Sequence, residues 1–270
     1  MTMVKAFPSE FIANASTDLQ SGVLRWGLWG RLGWQDILMR YRRSVLGPFW
    51  LTLSTAIMVA AMGTLYSVLF QLPAADYIPF LALGLIIWGF INSILSEGCN
   101  TFIEAESVLK QIAMPKSIFV CRVVWRAFLL MVHSLPIYLV LLVWFQIQIG
   151  WSVLLAFPAL LLLLGHALWI SLLFGMISAR FRDFPQIVAS IVQIAFFLTP
   201  IVWKPELLRG RMLIVEANPL YHVIEILRGP LLGTPPEALS WIVVCTMLIA
   251  GWVLTFWAFA RFRPRIVYWV

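Results

Sequence analysis

The sequence predicts an all-α integral membrane protein with six transmembrane helices. Hydrophobic residues make up 62% of its 270 residues and charged residues only 11%, which is the reverse of the balance in soluble proteins. Several apolar runs are close to the roughly 20 residues that a helix needs to cross the hydrocarbon core. These runs predict spans at residues 49–70, 78–96, 118–145, 152–178, 186–203 and 240–260.

The predicted chain divides at residue 48 into two parts. Residues 49–270 form the six-span domain, and residues 1–48 form a cytoplasmic tail with an amphipathic interface helix. Residues 1–22 are mixed and polar, which indicates a loosely held tail. Residues 23–33 contain three glycines among Trp and Leu, so we expect any helix there to be weak and to lie at the membrane interface.

The interface helix begins near Trp34 and ends at Gly47-Pro48, because proline disfavours helix in the residue before it. Its spacing places five apolar residues on one face, namely Trp34, Ile37, Leu38, Tyr41 and Val45. The opposite face is charged and holds Asp36, Arg40 and Arg43. A helix of this kind suits the plane of a membrane surface, and it would turn sharply into the first span at Phe49.

Basic residues indicate on which side of the membrane each loop lies. The amino-terminal segment carries six Lys and Arg before the first span, and the loops at 97–117 and 179–185 carry two each. The short loops at 71–77 and 146–151 carry none. Because Lys and Arg favour the cytoplasmic side, we predict that both termini are cytoplasmic.

The 97–117 loop contains the pattern of a short amphipathic helix at residues 101–114. Thr101 and Glu104 have capping-box spacing, and Glu106 and Lys110 have i, i+4 spacing. The apolar face consists of Ala105, Val108, Leu109 and Ile112, and Met114-Pro115 ends the helix. From these residues alone the segment is either a simple loop helix at the interface or a docking element.

Two further connections contain recognisable helix starts. Between spans four and five, Asp183 suits a helix cap and Pro185 suits a first turn. In the outer segment 204–239, Asn218-Pro219 starts a helix that Gly229-Pro230 interrupts near its end. Its apolar face consists of Leu220, Ile224, Leu227 and Leu231. Non-helical backbone at membrane depth needs protein or water around it, so we expect a lateral gate or pore mouth here.

The motifs that are absent exclude several function classes. GxxxxGK[ST], HExxH and GxSxG do not occur, so the chain is not predicted to hydrolyse ATP or peptides. Cys99, Cys121 and Cys245 lack CxxC spacing, which indicates neither a disulfide framework nor a metal site. No basic run interleaved with aromatic residues points to nucleic acid. For His133 and His166 we favour neutral packing over a proton relay.

Two groups of side chains are candidates for contact with a substrate. Arg122 and Arg126 either snorkel to the cytoplasmic headgroups, which we favour, or bind an anionic substrate. Fourteen Trp and nineteen Phe exceed what two interfacial belts require, and aromatic faces stack on sugar rings. The candidates for lining a glycan channel are Phe49, Trp50, Tyr66, Phe70, Trp88, Phe196, Phe197 and Trp203, each of which could instead face lipid or pack between helices.

The order of these elements resembles the membrane subunits of ABC-2-type polysaccharide exporters, which are permeases for O-antigen, capsule and teichoic acid. The run from Arg40 to Trp50, RYRRSVLGPFW, is similar to the family's RY(K/R)xSxLGxxW motif. The segment from Phe102 to Pro115 ends in a Met-Pro-Lys element like the family's (F/M)P(R/K). The other matching motifs are Phe181-Arg182-Asp183, Thr199-Pro200-Ile201, and Asn218-Pro219-Leu220 with Arg228 beyond it. Within the family we favour an O-antigen permease.

The resemblance implies a homodimer in the bacterial inner membrane, paired with two copies of a separate ATPase that would bind ATP and magnesium. This chain would need no cofactor of its own. The helix at 101–114 would be a coupling helix that contacts the ATPase through Glu104, Glu106, Val108, Leu109 and Lys110. The helix at 35–46 would be a gate helix, with Arg40, Tyr41, Arg42 and Arg43 at the substrate entrance. The segment 204–232 would form the outer gate, with Asn218, Tyr221 and Arg228.

The substrate implied by the resemblance is an undecaprenyl-pyrophosphate-linked glycan, whose pyrophosphate oxygens match the guanidinium fork. An ABC-2 permease for a small hydrophobic compound is one alternative, although the basic helix beside the first span favours the glycolipid. A membrane enzyme acting on lipid-linked sugars is another, but Asp76, Glu97 and Asp183 lie on different sides of the bilayer. A coupled transporter would show repeats and interior carboxylates, and we find neither.

Overall fold

A computed structural model describes residues 9–42, 47, 49–208 and 212–270 of the chain. Within these residues the regular structure is helical, without strands. The α-helices are α1 (Ser9–Leu24), α2 (Trp26–Arg40), α3 (Phe49–Leu69), α4 (Ala74–Asn100), α5 (Glu106–Gln111), α6 (Ser117–Trp144), α7 (Ala156–Arg180), α8 (Phe184–Leu198), α9 (Met212–Glu216), α10 (Pro219–Leu231), α11 (Ala238–Phe262) and α12 (Ile266–Trp269). The prediction of an all-α membrane protein is confirmed.

Five helical segments in the described chain are long and apolar enough to cross a membrane. They are Phe49–Leu69, Ala74–Asn100, Ser117–Trp144, Trp151–Arg180 and Ala238–Trp269. The segment predicted as a span at 186–203 is the apolar but shorter helix α8. It ends at Leu198 because Thr199, which precedes a proline, takes an extended conformation. At 15 residues, α8 rises about 22 Å, less than the roughly 30 Å of a hydrocarbon core, so the count of six full spans is not established.

Helix α4 is the centre of the bundle. Of its most apolar stretch 72% is buried, against 17% for α3. It packs against α3, α6, α7, α8 and α10. Small residues allow the closest of these crossings, since a Cβ on Gly98 would lie 3.1 Å from the Cα of Ser171 in α7. Helix α3, by contrast, lies at the edge of the bundle with most of its surface exposed.

The amino-terminal residues from Ser9 onward are not a loosely held tail, so that prediction was wrong. They form α1, which is anchored through the buried carboxylate of Asp18. Asp18 accepts hydrogen bonds from the backbone N–H groups of Lys116 (3.2 Å) and Ser117 (3.1 Å) at the start of α6. It also pairs with Arg263 Nε at 2.7 Å. Because a buried carboxylate is stable only when it is paired and hydrogen-bonded, these contacts hold α1 in place. They also put the two ends of the described chain on the same side of the molecule.

The glycines of residues 23–33 do not prevent a helix, which corrects the expectation of weak structure there. Helix α2 runs through them from Trp26 to Arg40. A Cβ on Gly33 would lie 3.2 Å from the carbonyl oxygen of Arg122, so this glycine permits close packing of α2 on α6. Tertiary packing therefore outweighs the low helix propensity of glycine.

Candidate functional site

The buried face of α2 differs from the predicted one. Gly33, Asp36 and Ile37 are buried, whereas Trp34 and Leu38 are 52% and 51% exposed. Asp36 was expected on the exposed charged face, and that prediction was wrong. The helix is turned so that its carboxylate meets arginines of α6, because an apolar side chain can face lipid without cost but a carboxylate cannot. Arg43, Val45 and Pro48, which belong to the same predicted element, lie outside the described residues.

Three arginines and two carboxylates join α2, α4 and α6 in one network. Arg122 makes a two-pronged contact with Asp36, with N–O distances of 2.6 and 2.5 Å. Arg126 donates to Asp36 at 2.9 Å and, through Nε, to Glu97 Oε2 at 2.9 Å, and its Nη2 forms an ion pair with the same oxygen at 2.8 Å. Arg40 donates to the other oxygen of Glu97 at 3.1 Å. Arg122 and Arg126 therefore do not snorkel, as was favoured, but form ion pairs inside the protein.

A polar cavity of about 220 Å³ begins at Arg40 and Tyr41 and extends between α3, α4 and α6. A second cavity of about 490 Å³ continues from it between α4 and α8. Both are lined by Thr55, Leu85, Gly89 and Asn92, so we treat them as one groove. We call it the polar groove after the polar side chains of its Arg40 end, although the walls of the second cavity are mostly apolar. The remaining polar side chains on its walls are Ser93, Ser96, Ser134 and Gln193.

Four of the eight predicted channel aromatics lie at this polar groove. Trp88, Phe196 and Phe197 line it, and the Trp203 indole donates to the Phe197 carbonyl oxygen at 3.1 Å. The rings of Trp88 and Phe196 are 5.6 Å apart. The remaining four, Phe49, Trp50, Tyr66 and Phe70, are spread along and just beyond α3, away from this cluster. Whether they line a channel stays a prediction.

A larger apolar groove of about 750 Å³ lies on the other side of α3, between α3, α4 and α6. Phe49 opens it at one end, where its ring lies 5.0 Å from that of His133. Trp144 and Phe145 contribute to its wall. Helix α3 therefore separates an apolar groove from a polar one.

The predicted coupling segment is helical over a shorter range than 101–114. Helix α5 covers only Glu106–Gln111, because α4 continues to Asn100 and Ile112 takes an extended conformation before Met114-Pro115. The capping box was wrong, since no side chain caps α5 and the Thr101 hydroxyl has no hydrogen-bond partner in the described structure.

One face of the coupling segment packs on the protein and the other is exposed. Ala105 and Leu109 are buried in an apolar cluster, whereas the predicted face residue Ile112 is 52% exposed. Glu106 and Lys110 form the expected ion pair at 2.6 Å. The hydrogen bond from Lys110, and then its positive charge, lower the pKa of Glu106. Glu104 and Lys110 are exposed and Val108 is half-buried, so this face is accessible.

Asn218 starts helix α10, as predicted, and ties it to the end of α8. Its side-chain oxygen accepts from the Leu220 N–H at 3.0 Å, and its amide nitrogen donates to Thr199 Oγ1 at 3.0 Å. The cap at Asp183 is not confirmed, because its side chain makes no capping hydrogen bond, although Pro185 does lie in the first turn of α8. Gly229-Pro230 does not interrupt α10, which runs to Leu231.

Arg228 is almost fully buried on α10, with 1% of its surface exposed. It pairs with Glu225 at 2.7 Å and donates to the Pro200 carbonyl oxygen at 2.8 Å. Tyr221, the third predicted outer-gate residue, is half-buried with its ring 5.1 Å from that of His222. The outer helix is therefore fixed at both ends to the α8 turn.

The histidines show no acidic partner within the described chain. His166 Nδ1 lies 3.0 Å from the Leu162 carbonyl oxygen, in agreement with neutral packing, while its Nε2 and the Nε2 of His133 have no partner there. His222, which the sequence gave no reason to select, contacts Ser240 Oγ and the Glu216 carbonyl oxygen at 2.9 and 2.8 Å. In the described part of the chain, no three His, Cys, Asp or Glu side chains are grouped to hold a metal ion.

Sequence reasoning missed Asp36 and Glu97 as members of the charge network and missed the polar groove residues Asn92 and Gln193. Both amides are exposed on apolar helices. Isolated amides in predicted spans were a usable signal, because polar side chains at membrane depth rarely face lipid. No such signal in the sequence connected Asp36 with its partners Arg122 and Arg126, because they are 86 and 90 residues away.

Comparison with known proteins identifies the class. The sequence model of the ABC-2 type transporter family matches residues 28–232, which is more than half of the chain and runs from α2 through α10. The chain belongs to this family of membrane transport subunits, whose members typically work with a nucleotide-binding ATPase.

A match to one curated protein adds detail to the family assignment. The chain is similar to the O-antigen export system permease protein RfbA of Myxococcus xanthus, with 26% identity over 194 residues. The match covers 70% of this chain and 74% of the relative. The chain is thus an ABC-2 permease subunit homologous to an O-antigen export permease.

Proposed function

We propose that this permease exports an undecaprenyl-pyrophosphate-linked polysaccharide of the O-antigen type across the bacterial inner membrane. It works as a homodimer with two copies of a separate ATPase, which binds ATP and magnesium, while this chain requires no cofactor. The polar groove is the observation that carries the proposal. It begins at a cationic side chain, Arg40, and ends among aromatic rings.

The chemistry of the polar groove matches the two parts of such a substrate. The Arg40 guanidinium suits phosphate oxygens, which it can bind with two parallel hydrogen bonds. Farther along, Asn92, Ser96 and Gln193 offer donors and acceptors for sugar hydroxyls. Trp88 and Phe196 add flat apolar surface, on which a sugar ring can stack.

A second copy of the chain is needed to close this groove. Asn92 and Gln193 are exposed on one protomer although they lie on apolar membrane helices. An amide left facing hydrocarbon would lack hydrogen-bond partners, which is costly. A homodimer that places these faces opposite each other would enclose a water-filled path, and the largely exposed helices α3 and α8 would supply the contact.

The exposed face of α5 is the proposed docking site for the ATPase. Glu106 and Lys110 lie on it, and the buried Leu109 fixes the segment on the bundle. The α5 side of the molecule also holds the paired ends of the chain at Asp18 and Arg263. We therefore place α5 and both termini in the cytoplasm, in agreement with the distribution of basic residues.

Transport of a small hydrophobic compound is the second candidate, and the apolar groove favours it. That groove has about 750 Å³, which is enough for a compact apolar molecule, and its described lining is almost entirely hydrocarbon. It lacks the amides and the arginine of the polar groove. The two functions therefore place the substrate on opposite sides of α3.

Paired tryptophan substitutions distinguish the two functions. The tagged permease is co-purified with the product of its adjacent gene, reconstituted in lipid, and assayed for ATP hydrolysis with and without lipid-linked glycan. Trp88→Ala in the polar groove should reduce glycan-stimulated hydrolysis at least about tenfold, the scale for losing a well-placed aromatic contact. Trp144→Ala in the apolar groove is the control and should leave it unchanged. Because Trp88 is 7% exposed and Trp144 is 78% exposed, thermal melting of both variants separates a folding defect from loss of the substrate contact. A loss confined to Trp144→Ala, or the absence of an ATPase from the purified complex, would contradict the proposal.

A further inference from the structure

We propose that Glu97 is a positioning residue that holds Arg40 at the mouth of the polar groove and yields it to a phosphate group of the substrate. The inference rests on the proposed function, because it assumes that an anionic substrate enters at Arg40. It adds a residue to the entrance that neither a motif nor the sequence pattern indicated. The two oxygens of Glu97 have different partners, and this difference carries the inference.

One oxygen of Glu97 is fixed and the other is exchangeable. Oε2 accepts a hydrogen bond from Arg126 Nε at 2.9 Å and forms an ion pair with Arg126 Nη2 at 2.8 Å, and the Arg126 side chain is only 6% exposed. Oε1 accepts the single, longer bond of 3.1 Å from Arg40, whose side chain is 47% exposed. An exposed ion pair with one contact is weak, whereas a buried ion pair with two contacts is costly to break. The Arg40 contact is therefore the one that opens.

Opening this contact leaves no buried charge without a partner. Glu97 keeps its hydrogen bond and its ion-pair contact with Arg126, and Asp36 keeps its hydrogen bonds from Arg122 and Arg126. The ion pairs of the network join three arginines to two carboxylates, and the carboxylate of Glu104 lies close enough to act on the charge of Arg126. Arg40 is the most exposed of the three arginines and has only one contact in the network, so it is the member that can offer its charge to an incoming anion.

Helix α2 stays in place while Arg40 changes partner. Asp36 lies one turn before Arg40 on the same helix and is 8% exposed in its side chain, clamped by two arginines of α6. The exchange therefore requires only side-chain rotation of the last residue of α2. A rigid helix that presents one mobile arginine is a suitable first contact for phosphate, because little ordering is lost on binding.

The cavity at Arg40 contains no other competing charge in its described lining. Tyr41, Asn92, Ser93 and Ser134 are neutral, and the rest of the wall is apolar or hydroxyl-bearing. Glu97 is thus the carboxylate that a substrate phosphate must replace at Arg40. A neutral lipid would not displace Glu97, because it has no negative charge with which to pair Arg40.

The test is binding of inorganic pyrophosphate to the permease–ATPase complex in nanodiscs of neutral lipid, with the nucleotide site blocked by a non-hydrolysable nucleotide. Glu97→Gln removes the competing charge at nearly unchanged shape and should tighten binding about threefold to fivefold, the upper end of the scale for one exposed ion pair. Arg40→Gln should weaken binding, and adding Glu97→Gln to it should give no gain. Glu97→Asp, which keeps the charge, should bind within about twofold of wild type. Glu10→Gln, at an exposed position on α1, removes one negative charge outside the lining of the groove. It controls for the change in net charge and should have no effect on pyrophosphate binding.

A second readout separates positioning from a structural role. In Glu97→Gln the glycolipid concentration for half-maximal ATP hydrolysis should fall while the maximal rate is retained. The inference would be overturned if Glu97→Gln lowered the melting temperature but bound pyrophosphate as wild type does. It would also be overturned if Glu97→Gln tightened binding equally in the Arg40→Gln background, or if no variant bound pyrophosphate. Glycan-stimulated hydrolysis that persists in those cases would leave the proposed export function standing.

Discussion

The guanidinium of Arg228 lies over the ring of Phe80, with its central carbon 3.8 Å from the ring centroid. This contact joins the outer helix α10 to the start of α4, the most buried helix of the bundle. Arg228 reaches the Pro200 carbonyl oxygen and Glu225 from the same position. One buried side chain thus holds together three segments at the proposed outer gate.

Arg228→Lys should destabilise the protein although it preserves the charge. An ammonium group cannot stack flat on Phe80 while forming the fork to Glu225, so contacts worth about 2 kcal/mol should be lost. Thermal melting of the detergent-solubilised permease measures the effect. Arg265→Lys, at an exposed position near the carboxyl end, is the control. Equal melting temperatures for the two variants would show that the fork and the stacking contribute nothing.

Removing Arg126 and removing Arg40 from the charge network should lower the stability of the protein by very different amounts. Arg126→Met leaves Glu97 with one exposed partner and removes a bond from Asp36, and loss of a buried ionic partner costs about 3–5 kcal/mol. Arg40→Gln removes an exposed pair and should cost less than about 1 kcal/mol. Chemical or thermal unfolding of the two variants in the same detergent compares them. A larger loss for Arg40→Gln would mean that the buried links are not the stabilising ones.

Gly89 is a position where a side chain would obstruct the polar groove without disturbing the fold. It lines both cavities of the groove, and a Cβ built there meets no atom within 4 Å. Gly89→Leu should therefore preserve melting temperature but reduce glycan export at least about tenfold, the scale for blocking a well-formed site. Gly30→Leu on α2, where a Cβ also meets nothing, is the matched control. Export at the wild-type rate in Gly89→Leu would place the substrate path elsewhere.

The ion pair on α5 should determine the acid sensitivity of the coupling segment. Because the pKa of Glu106 is lowered in the folded protein, the contribution of the pair is complete above the ordinary carboxyl pKa and is lost as pH falls through the lowered value. Lys110→Gln should raise the pKa of Glu106 toward its ordinary value. Carbon NMR of glutamate-labelled protein, with the signal assigned from Glu106→Gln, follows the titration. An unchanged titration in Lys110→Gln would show that Lys110 does not control this carboxyl.

Features that depend on neighbouring residues could be predicted from the sequence. The helix start at Asn218-Pro219 and the Glu106–Lys110 pair were both correct, because capping and i, i+4 contacts are local. The capping box at Thr101 failed because the end of α4 continued through the preceding residues. Local patterns compete with one another, and tertiary packing decides between them.

Features that depend on distant residues could not be predicted. Asp36 was assigned to the wrong face because its partners lie on α6, and periodicity alone ranks a carboxylate as exposed. The four aromatics at the polar groove come from α4, from α8 and from the segment after α8, and only the fold brings them together.

The bond between Asp18 and Arg263 spans 245 residues of sequence. Helix α1 therefore cannot complete its contacts until the ribosome has synthesised the chain as far as Arg263. Its link to Ser117 becomes available much earlier, once α6 has been synthesised. Helix α1 is thus synthesised before both of its partners and gains its last contact only with Arg263. A prematurely terminated chain would carry it half-attached, with a buried carboxylate lacking its arginine, and cellular quality control could recognise that defect.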